Sequence, residues 1–402
     1  MGKDAVTIIL ERLSDMPVAQ RRTEIVERKG LGHPDSICDA LVEAISVALN
    51  RMYLEVCGGI AHYNVDKALL IAGECSKKFG AGQVVRPMEL VVGDRATFEV
   101  GGRRLPVSET VRESVDTWLR THLPHVCPGQ DLQVRSVLAP GSEELRGIFS
   151  DGAAAVSNDT CGACGYAPLT PTEQLVYDVE RWLNSAEFKS QFADTGQDVK
   201  VFAVRRDDHL AVTIAMPLLC LATASERAYF ARKDEILAAL AGQFRALPFV
   251  VDWRLNCLDV PGRGTEGVYL SLTGTSAEDA DSGQVGRGNR ANGLIAFARP
   301  TGGEAAAGKN PIAHTGKIYS VLSYRLAHLI HLRCPEVIEV YVHLTSRIGA
   351  PVSQPETAVQ LVLPRDLQAA DLEVAVREVI EAELAHLHEF QSALVRGEHR
   401  VY

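Results

Sequence analysis

The sequence predicts a mixed fold of the α+β class, and two observations predict it. Helical and extended periods alternate along the whole 402-residue chain, and the breaks between them are short and rich in glycine. Over residues 36–53, Ile37, Leu41, Ile45 and Leu49 fall on one stripe, the four-residue spacing of a helix. Residues 68–72 and 132–138 read as strands, because apolar or β-branched side chains alternate or run together there. Residues 172–184 return to a helical period, 198–204 and 210–216 are extended, 225–245 helical and 269–273 extended. Helices are expected over 316–332 and 369–387, the second rich in Glu, Ala and Leu as exposed surface helices are. Glycine-rich stretches at 139–165, 261–267, 283–293 and 302–316 are too many to be hairpin turns alone. No short repeat or low-complexity linker interrupts the chain, so composition marks no domain boundary within 1–402.

Hydrophobic residues make up 46% of the chain and charged residues 23%, the balance of a globular protein long enough for a large core. The formal net charge is −10 and no basic tail is present. Nucleic-acid binding, which needs a clustered positive footprint, is therefore not expected. The opening MGKDAVTIILERLSD carries acids inside its apolar stretch, unlike a signal peptide, and Val6 spoils a myristoylation signal. The most apolar stretch, 210–224, is about five residues too short to span a bilayer and contains Pro217, so no membrane span is expected. Nine cysteines without framework spacing fit reduced thiols and a cytoplasmic setting.

Five segments carry chemistry. In GLGHPDSICDAL (30–41), Gly32 frees the backbone, Pro34 fixes φ, and Asp35 and Ser36 stand where a helix begins. His33 is thereby presented at a helix N-terminus, a place that favours anions. Asp35 and Asp39, four apart, can share a helix face as metal ligands do; equally, Asp35 is a cap and His33 a bystander. Residues 275–293 hold Glu278, Asp279 and Asp281, then Arg287 and Arg290 among glycines, the hard oxygens and guanidinium groups that magnesium–polyphosphate binding uses. A solvated loop reads the same way. In 302–317, Gly303, Gly308 and Lys309 nearly spell a phosphate-binding P-loop after an apolar run. However, Asn310 replaces the magnesium-ligating Ser or Thr, and Pro311 follows. Lys309, His314 and Lys317 still form a dense cationic group. Residues 141–146 suit phosphate or ribose contact by backbone amides, and Asp159 precedes a glycine-rich turn. Cys161 and Cys164 lack the second ligand pair zinc needs, which leaves structural thiols. Asp198 and Lys200 are two apart on one strand face, as an exposed ion pair would be.

Together these segments resemble the archaeal-type S-adenosylmethionine synthetases from about Glu27 to about Pro355. The carrying strings are ERKGLGHPDSICDAL, HYNVDKALLIAGE, GDRAT, GYAPLTPTE, DVKV, YLSLTGTSAE, VGRGNRANGLI, EAAAGKNPIAHTGKIY and SRIGAPVSQP. The resemblance implies three similar α+β domains, interleaved in sequence around a pseudo-threefold axis, with sheets packed flat at a homodimer interface that holds the active sites, and in some members a dimer of dimers. It implies attack of the methionine sulfur on the ribose 5′ carbon of ATP, release of triphosphate, and its hydrolysis to pyrophosphate and phosphate. Charge on the leaving group is then the main burden, met by metal, Lys and Arg.

By that resemblance His33 lies at the ribose 5′ oxygen, and Asp35 and Asp281 hold magnesium. Lys200, Arg287, Arg290, Lys309 and Lys317 grip the phosphates, and Glu74 matches a potassium site. Gly141, Ser142, Glu143, Glu144, Leu145, Arg146, Asp159 and Asp198 serve the nucleotide, and Glu27 the methionine end. Several positions depart from the pattern: Ser282 replaces a second acid, Ala313 an Asn, residues 301–303 a bulkier stretch, 80–83 a Gly-Gly-Gly-Glu run, Cys161 to Cys164 an apolar turn, and Arg347 a Gln. These departures are also compatible with a specialised copy that uses a methionine or nucleotide analogue. A P-loop NTPase built on Gly303 to Lys309 and a catalytically weak paralogue complete the set of readings that the residues allow.

Overall fold

The computed structural model describes residues 7–141 and 155–402. Among them the six longest α-helices are α1 (Pro34–Cys57), α2 (Val107–His122), α3 (Pro171–Leu183), α4 (Glu226–Gln243), α5 (Thr315–Arg333) and α6 (Glu373–Ala385). Three larger sheets form, and each draws strands from distant stretches. The first runs Ile8–Leu13, Glu356–Val362, Glu339–Ser346, Cys161–Ala167. The second runs Ala139–Pro140, Met88–Ala96, Asn64–Ile71, Gly283–Gln284, with Leu132–Ser136 also on Met88–Ala96. The third runs Val250–Leu255, His209–Ala215, Lys200–Arg206, Thr23–Lys29, Ile295–Ala296. Each sheet has helices on one face: α5 with α6 behind it on the first, α1 and α2 on the second, α3 and α4 on the third. The expected α+β class is what forms, with interleaving visible in the strand order.

Period-2 patterning sets which face packs. In Thr23–Lys29, Glu24, Val26 and Arg28 are buried toward the helices, while Ile25, Glu27 and Lys29 stay half-buried on the other face. Lys200–Arg206 repeats this, burying Val201, Ala203 and Arg205. The register sets Phe202 beside Glu27 on one neighbour and Thr213 on the other. The open face of the third sheet therefore carries Glu27 and Lys200 together with Phe202, Val204, Ala211 and Thr213. The first sheet meets α5 at Gly165, where a Cβ would stand 2.2 Å from the Ser323–Tyr324 backbone, so only glycine permits this approach.

A buried polar chain ties the third sheet to the first. Arg205 binds Glu24 at 3.1 Å, Glu24 accepts from Thr170 Oγ1 at 2.6 Å, and Glu173 accepts from Arg299 Nε at 2.9 Å. Arg299 continues to Glu339 at 3.3 Å and donates to the Tyr341 hydroxyl, its guanidinium 4.5 Å from the Tyr166 ring centre. Thr170 also opens α3 with a capping box, taking the Glu173 amide while Glu173 takes the Thr170 amide, and Pro171 fills the first helical position. Thr170→Ala should cost about 2 kcal/mol, the upper end for a lost cap. An unchanged urea midpoint would show that the cap contributes nothing.

Some elements differ from expectation. The helix expected at 36–53 begins at Pro34 and runs to Cys57. Residues 369–387 start as a 3-10 turn and then form α6, whose Val376, Ile380 and Leu384 are buried, so it is amphipathic rather than purely exposed. The strand expected at 269–273 shrinks to Leu270–Ser271, because the amides of Leu272 and Thr273 turn to the Glu278 carboxylate. The strand expected from 198 starts at Lys200. Among the described residues no helix is long and apolar enough to cross a membrane.

Candidate active site

The turn into α1 is fixed by backbone contacts. The Gly30 amide donates to Val199 O at 2.6 Å and the Gly32 amide to Gln197 O at 3.0 Å. At Gly32 a Cβ would lie 2.5 Å from the Gln197–Asp198 backbone, so this crossing also requires glycine. His33 caps the helix, its Nδ1 accepting the Asp35 amide at 3.2 Å. Burial, with Lys29 and Lys200 nearby, outweighs the opposing Asp35 and pushes the imidazole down to about 4. His33 is thus neutral near pH 7. With Nδ1 occupied as an acceptor, its proton sits on Nε2, a donor free to face a negative oxygen.

Around His33 stand Lys29, whose Nζ donates to Asp35 Oδ2 at 2.8 Å and to Arg287 O at 2.7 Å, and Lys200, 3.4 Å from Glu27 Oε1. Asp198 is not an exposed strand partner of Lys200. It is buried in the preceding turn and accepts the Ser276 amide at 2.8 Å and the Ser276 hydroxyl at 2.5 Å. Burial, reinforced by nearby Asp281, pushes it up to about 6. Asp281 and Arg287 are exposed at this rim. The structure therefore brings Glu27, His33, Asp35, Asp198, Lys200, Asp281 and Arg287 into one group.

Along α1, three carboxylates one turn apart each hold a glycine loop. Asp35 Oδ1 takes the Gln284 amide at 2.9 Å, Asp39 Oδ1 the Gly286 amide at 2.8 Å, and Glu43 Oε2 the Gly308 amide at 3.0 Å. Asp39 also accepts from the Gly288 amide. Asp35 and Asp39 do share one helix face, but Asp39 is sealed by loop amides, which is loop support and not metal ligation. Glu278 is likewise filled, by Ser271, Leu272 and Thr273, and Asp279 pairs with Lys77. Of the three acids before Arg287, Asp281 is the one left open.

A second group lies eight residues further along α1, about 12 Å at the helical rise of 1.5 Å per residue. Lys309 Nζ pairs with Asp66 at 2.7 Å and Glu304 at 2.9 Å. Burial alone would discharge it, yet those two acids hold its pKa above the ordinary value. Lys317 has a fully buried side chain that donates to Glu43 at 2.7 Å and to Lys309 O at 2.9 Å. It supports Lys309 from behind and does not open to the surface. His314 caps α5 as His33 caps α1, with Nδ1 on the Gly316 amide at 3.2 Å, and burial pushes it down to about 3. Asp159 is exposed beside this group, its carbonyl held by the Ser157 hydroxyl at 2.6 Å. No P-loop forms, because Lys309 is followed by a turn through Pro311 and the helix begins only at Thr315.

Arg290 turns inward, with its Nη1 on Gly286 O at 3.3 Å, beside Asp39. It lines a cavity of roughly 30 Å³ with Cys164, Glu304 and Val401. Glu74 is exposed at the head of strand Glu74–Lys78. Gly141 lies against the His62 ring, and Ser142, Glu143, Glu144, Leu145 and Arg146 lie outside the described residues. Cys161 and Cys164 are buried, their thiols pushed up to about 12 by burial. Sequence reasoning misses Lys29, Glu43, Asp66 and Glu304. Lys29 and Asp66 sit inside the strings ERKGLGHPD and HYNVDK, but only packing shows what they hold.

Basic groups drawn from separate stretches and paired with carboxylates near a helix N-terminus are the kind of site an α+β enzyme acting on polyphosphate uses. The profile of the family described as "S-adenosylmethionine synthetase (AdoMet synthetase)" matches residues 6–398. The S-adenosylmethionine synthase of Pyrobaculum neutrophilum is 38% identical over 404 residues, covering 98% of this chain and 100% of that protein. The probable S-adenosylmethionine synthase of Aquifex aeolicus is 38% identical over 400 residues, covering 98% and 99%. A solved structure titled as an unusual S-adenosylmethionine synthetase from Campylobacter jejuni matches the fold with a TM-score of 0.60 at 14% identity, over 94% of each chain. The chain belongs to the S-adenosylmethionine synthetase family, the methionine adenosyltransferases.

Proposed function

We propose that the chain's synthesis of S-adenosylmethionine from ATP and methionine takes place at a site shared by two copies, with His33 at the ribose 5′ oxygen. The observation that carries this reading is the neutral His33, its Nε2 proton left free by the Asp35 amide and flanked by Lys29 and Lys200. Sulfur needs no general base, so the protein's task is to receive the charge that leaves with triphosphate. A donor at the departing oxygen and cations along the chain do this. Lys200, Arg287, Arg290 and Lys309 grip the phosphates, with Lys317 holding Lys309; Asp159, Asp198 and the 141–146 turn serve the nucleotide, and Glu27 the methionine end.

The family is divalent-metal dependent, and the donor set fits magnesium. Among the described residues no group of three or more His, Cys, Asp or Glu could by itself cage a metal. Asp281 offers an open carboxylate at the rim and Asp35 would join it by releasing Lys29 Nζ from Oδ2, which suits an ion that keeps waters and takes phosphate oxygens. Bound there, magnesium would neutralise charge on the triphosphate. Glu74 would hold potassium. The separation of the His33 and Lys309 groups along α1 supports a homodimer in which one copy's first group meets its partner's second. The open face of the third sheet, with Phe202 and Val204, suits flat packing between copies. Each sheet with its helices would be one of three interleaved units. Nine free thiols suit a cytoplasmic setting.

Incubation with ATP, methionine, magnesium and potassium should yield the sulfonium together with pyrophosphate and phosphate, followed by mass. Absence of the sulfonium would sink the reading. In His33→Asn, sulfonium formation should slow by about 100-fold, the scale of one lost transition-state donor, with triphosphate hydrolysis slowed less. Equal loss in both steps would remove His33 from the ribose oxygen.

A further inference from the structure

Asp39 takes no part in the chemistry above, yet it is 2% exposed and sits under the loop that carries Arg287 and Arg290. Its carboxylate accepts the Gly286 amide at 2.8 Å, accepts from Gly288, and lies within electrostatic reach of Arg290. Gly286 is in the left-handed region at φ +80°, and the amides of Gly286 and Gly288 both reach Asp39 while the Arg287 amide between them donates to Gln284 O. Two amides aimed at one point call for an acceptor there. Here the chain supplies its own carboxylate. At Gly288 an added Cβ would collide with Asp39 Oδ2, so the loop closes directly on the acid. Arg290 Nη1 then folds back onto Gly286 O, while Lys29 Nζ holds Arg287 O from the other side. The small cavity next to Asp39 and Arg290 has room for about two waters.

We propose that Asp39 is a positioning residue for ATP: an internal acceptor whose grip on the Gly286 and Gly288 amides sets the Arg287–Arg290 loop to receive polyphosphate. This rests on the reading of the site given above. A buried acid with two amide donors and an arginine beside it has one stable pose, and the loop inherits it. Loss of that pose leaves the amides of Gly286 and Gly288 facing no acceptor, and lets both arginines drift from the phosphates. The methionine end, built on Glu27, is untouched.

The test compares wild type with Asp39→Asn, which keeps size but turns an NH2 toward one of the two amides. Asp39→Asn should raise KM for ATP and the dissociation constant for inorganic tripolyphosphate by about 10- to 100-fold, the scale of misplaced phosphate contacts. KM for methionine should stay within about twofold. Combining Asp39→Asn with Arg290→Gln should give less than the sum of the two losses, since both act through one loop. An Asp39→Asn enzyme with unchanged KM for ATP and only a lower melting temperature or kcat would overturn the proposal. Should that variant not fold, Gly288→Ala presses a methyl against the same carboxylate and carries the test by the same criterion. Wild-type enzyme that makes no sulfonium defeats the reaction assigned to the chain; active wild type with an unmoved ATP constant in these variants defeats only the role of Asp39.

Discussion

Lys309→Ala should lower kcat/KM by about 100- to 1,000-fold, on the order of 3 to 4 kcal/mol of transition-state stabilisation. Lys309 is not a stray surface cation. Asp66 and Glu304 fix its ammonium at 2.7 and 2.9 Å, and Lys317 and Ser46 fix its backbone carbonyl. A charge held this firmly costs nothing to reorganise as triphosphate departs. Its removal also leaves two carboxylates facing the same phosphates, so repulsion adds to the lost attraction. Asp66 is nearly buried, and part of the damage would appear as instability. The double variant Lys309→Ala with Asp66→Asn separates the two effects: it should recover stability but not rate. Wild-type turnover in the single variant would refute the phosphate role.

Arg299→Met carries the largest expected effect on stability. The Arg299 and Glu173 side chains have no exposed surface, and Glu339 has 4%. Removing the cation leaves two acids buried without their partner, a loss of about 3–5 kcal/mol. Arg299 spans Glu173 of α3 and Glu339 of the first sheet, so the contact between the first and third sheets should loosen. The urea midpoint should fall accordingly. Arg299→Lys should recover little, since one ammonium cannot reproduce the fork that binds both Glu173 oxygens. An unchanged midpoint in Arg299→Met would show that burial of this network adds no net stability.

The local spacing of apolar residues makes α1, α3, α4 and α5 legible in the sequence, whereas α2 goes unread although its buried Val107, Val111, Val115 and Leu119 stand four apart. The strands are less legible. Ile8–Leu13 pairs only with Glu356–Val362 near the other end of the chain, and nothing local announces that pairing. The site shows the same division. His33, Asp35 and Lys309 stand in turns whose Gly and Pro content marks them. The acids that aim them do not: Glu43 lies mid-helix and Asp66 mid-strand, and each looks like an ordinary charge until its partner appears 265 or 243 residues away. Asp39 misleads for a related reason. Spacing shows that two carboxylates share a face, but not that glycine amides already fill one of them.

The row of Asp35, Asp39 and Glu43 makes α1 a ruler. Swapping one of its side chains disturbs one grip, whereas adding or deleting a single residue between Asp35 and Glu43 would turn everything beyond it by about 100° and shift it about 1.5 Å. Both glycine loops would then lose step with each other at once. Every side chain from 35 to 43 is buried, so the stretch has no free face and should accept no change in its length.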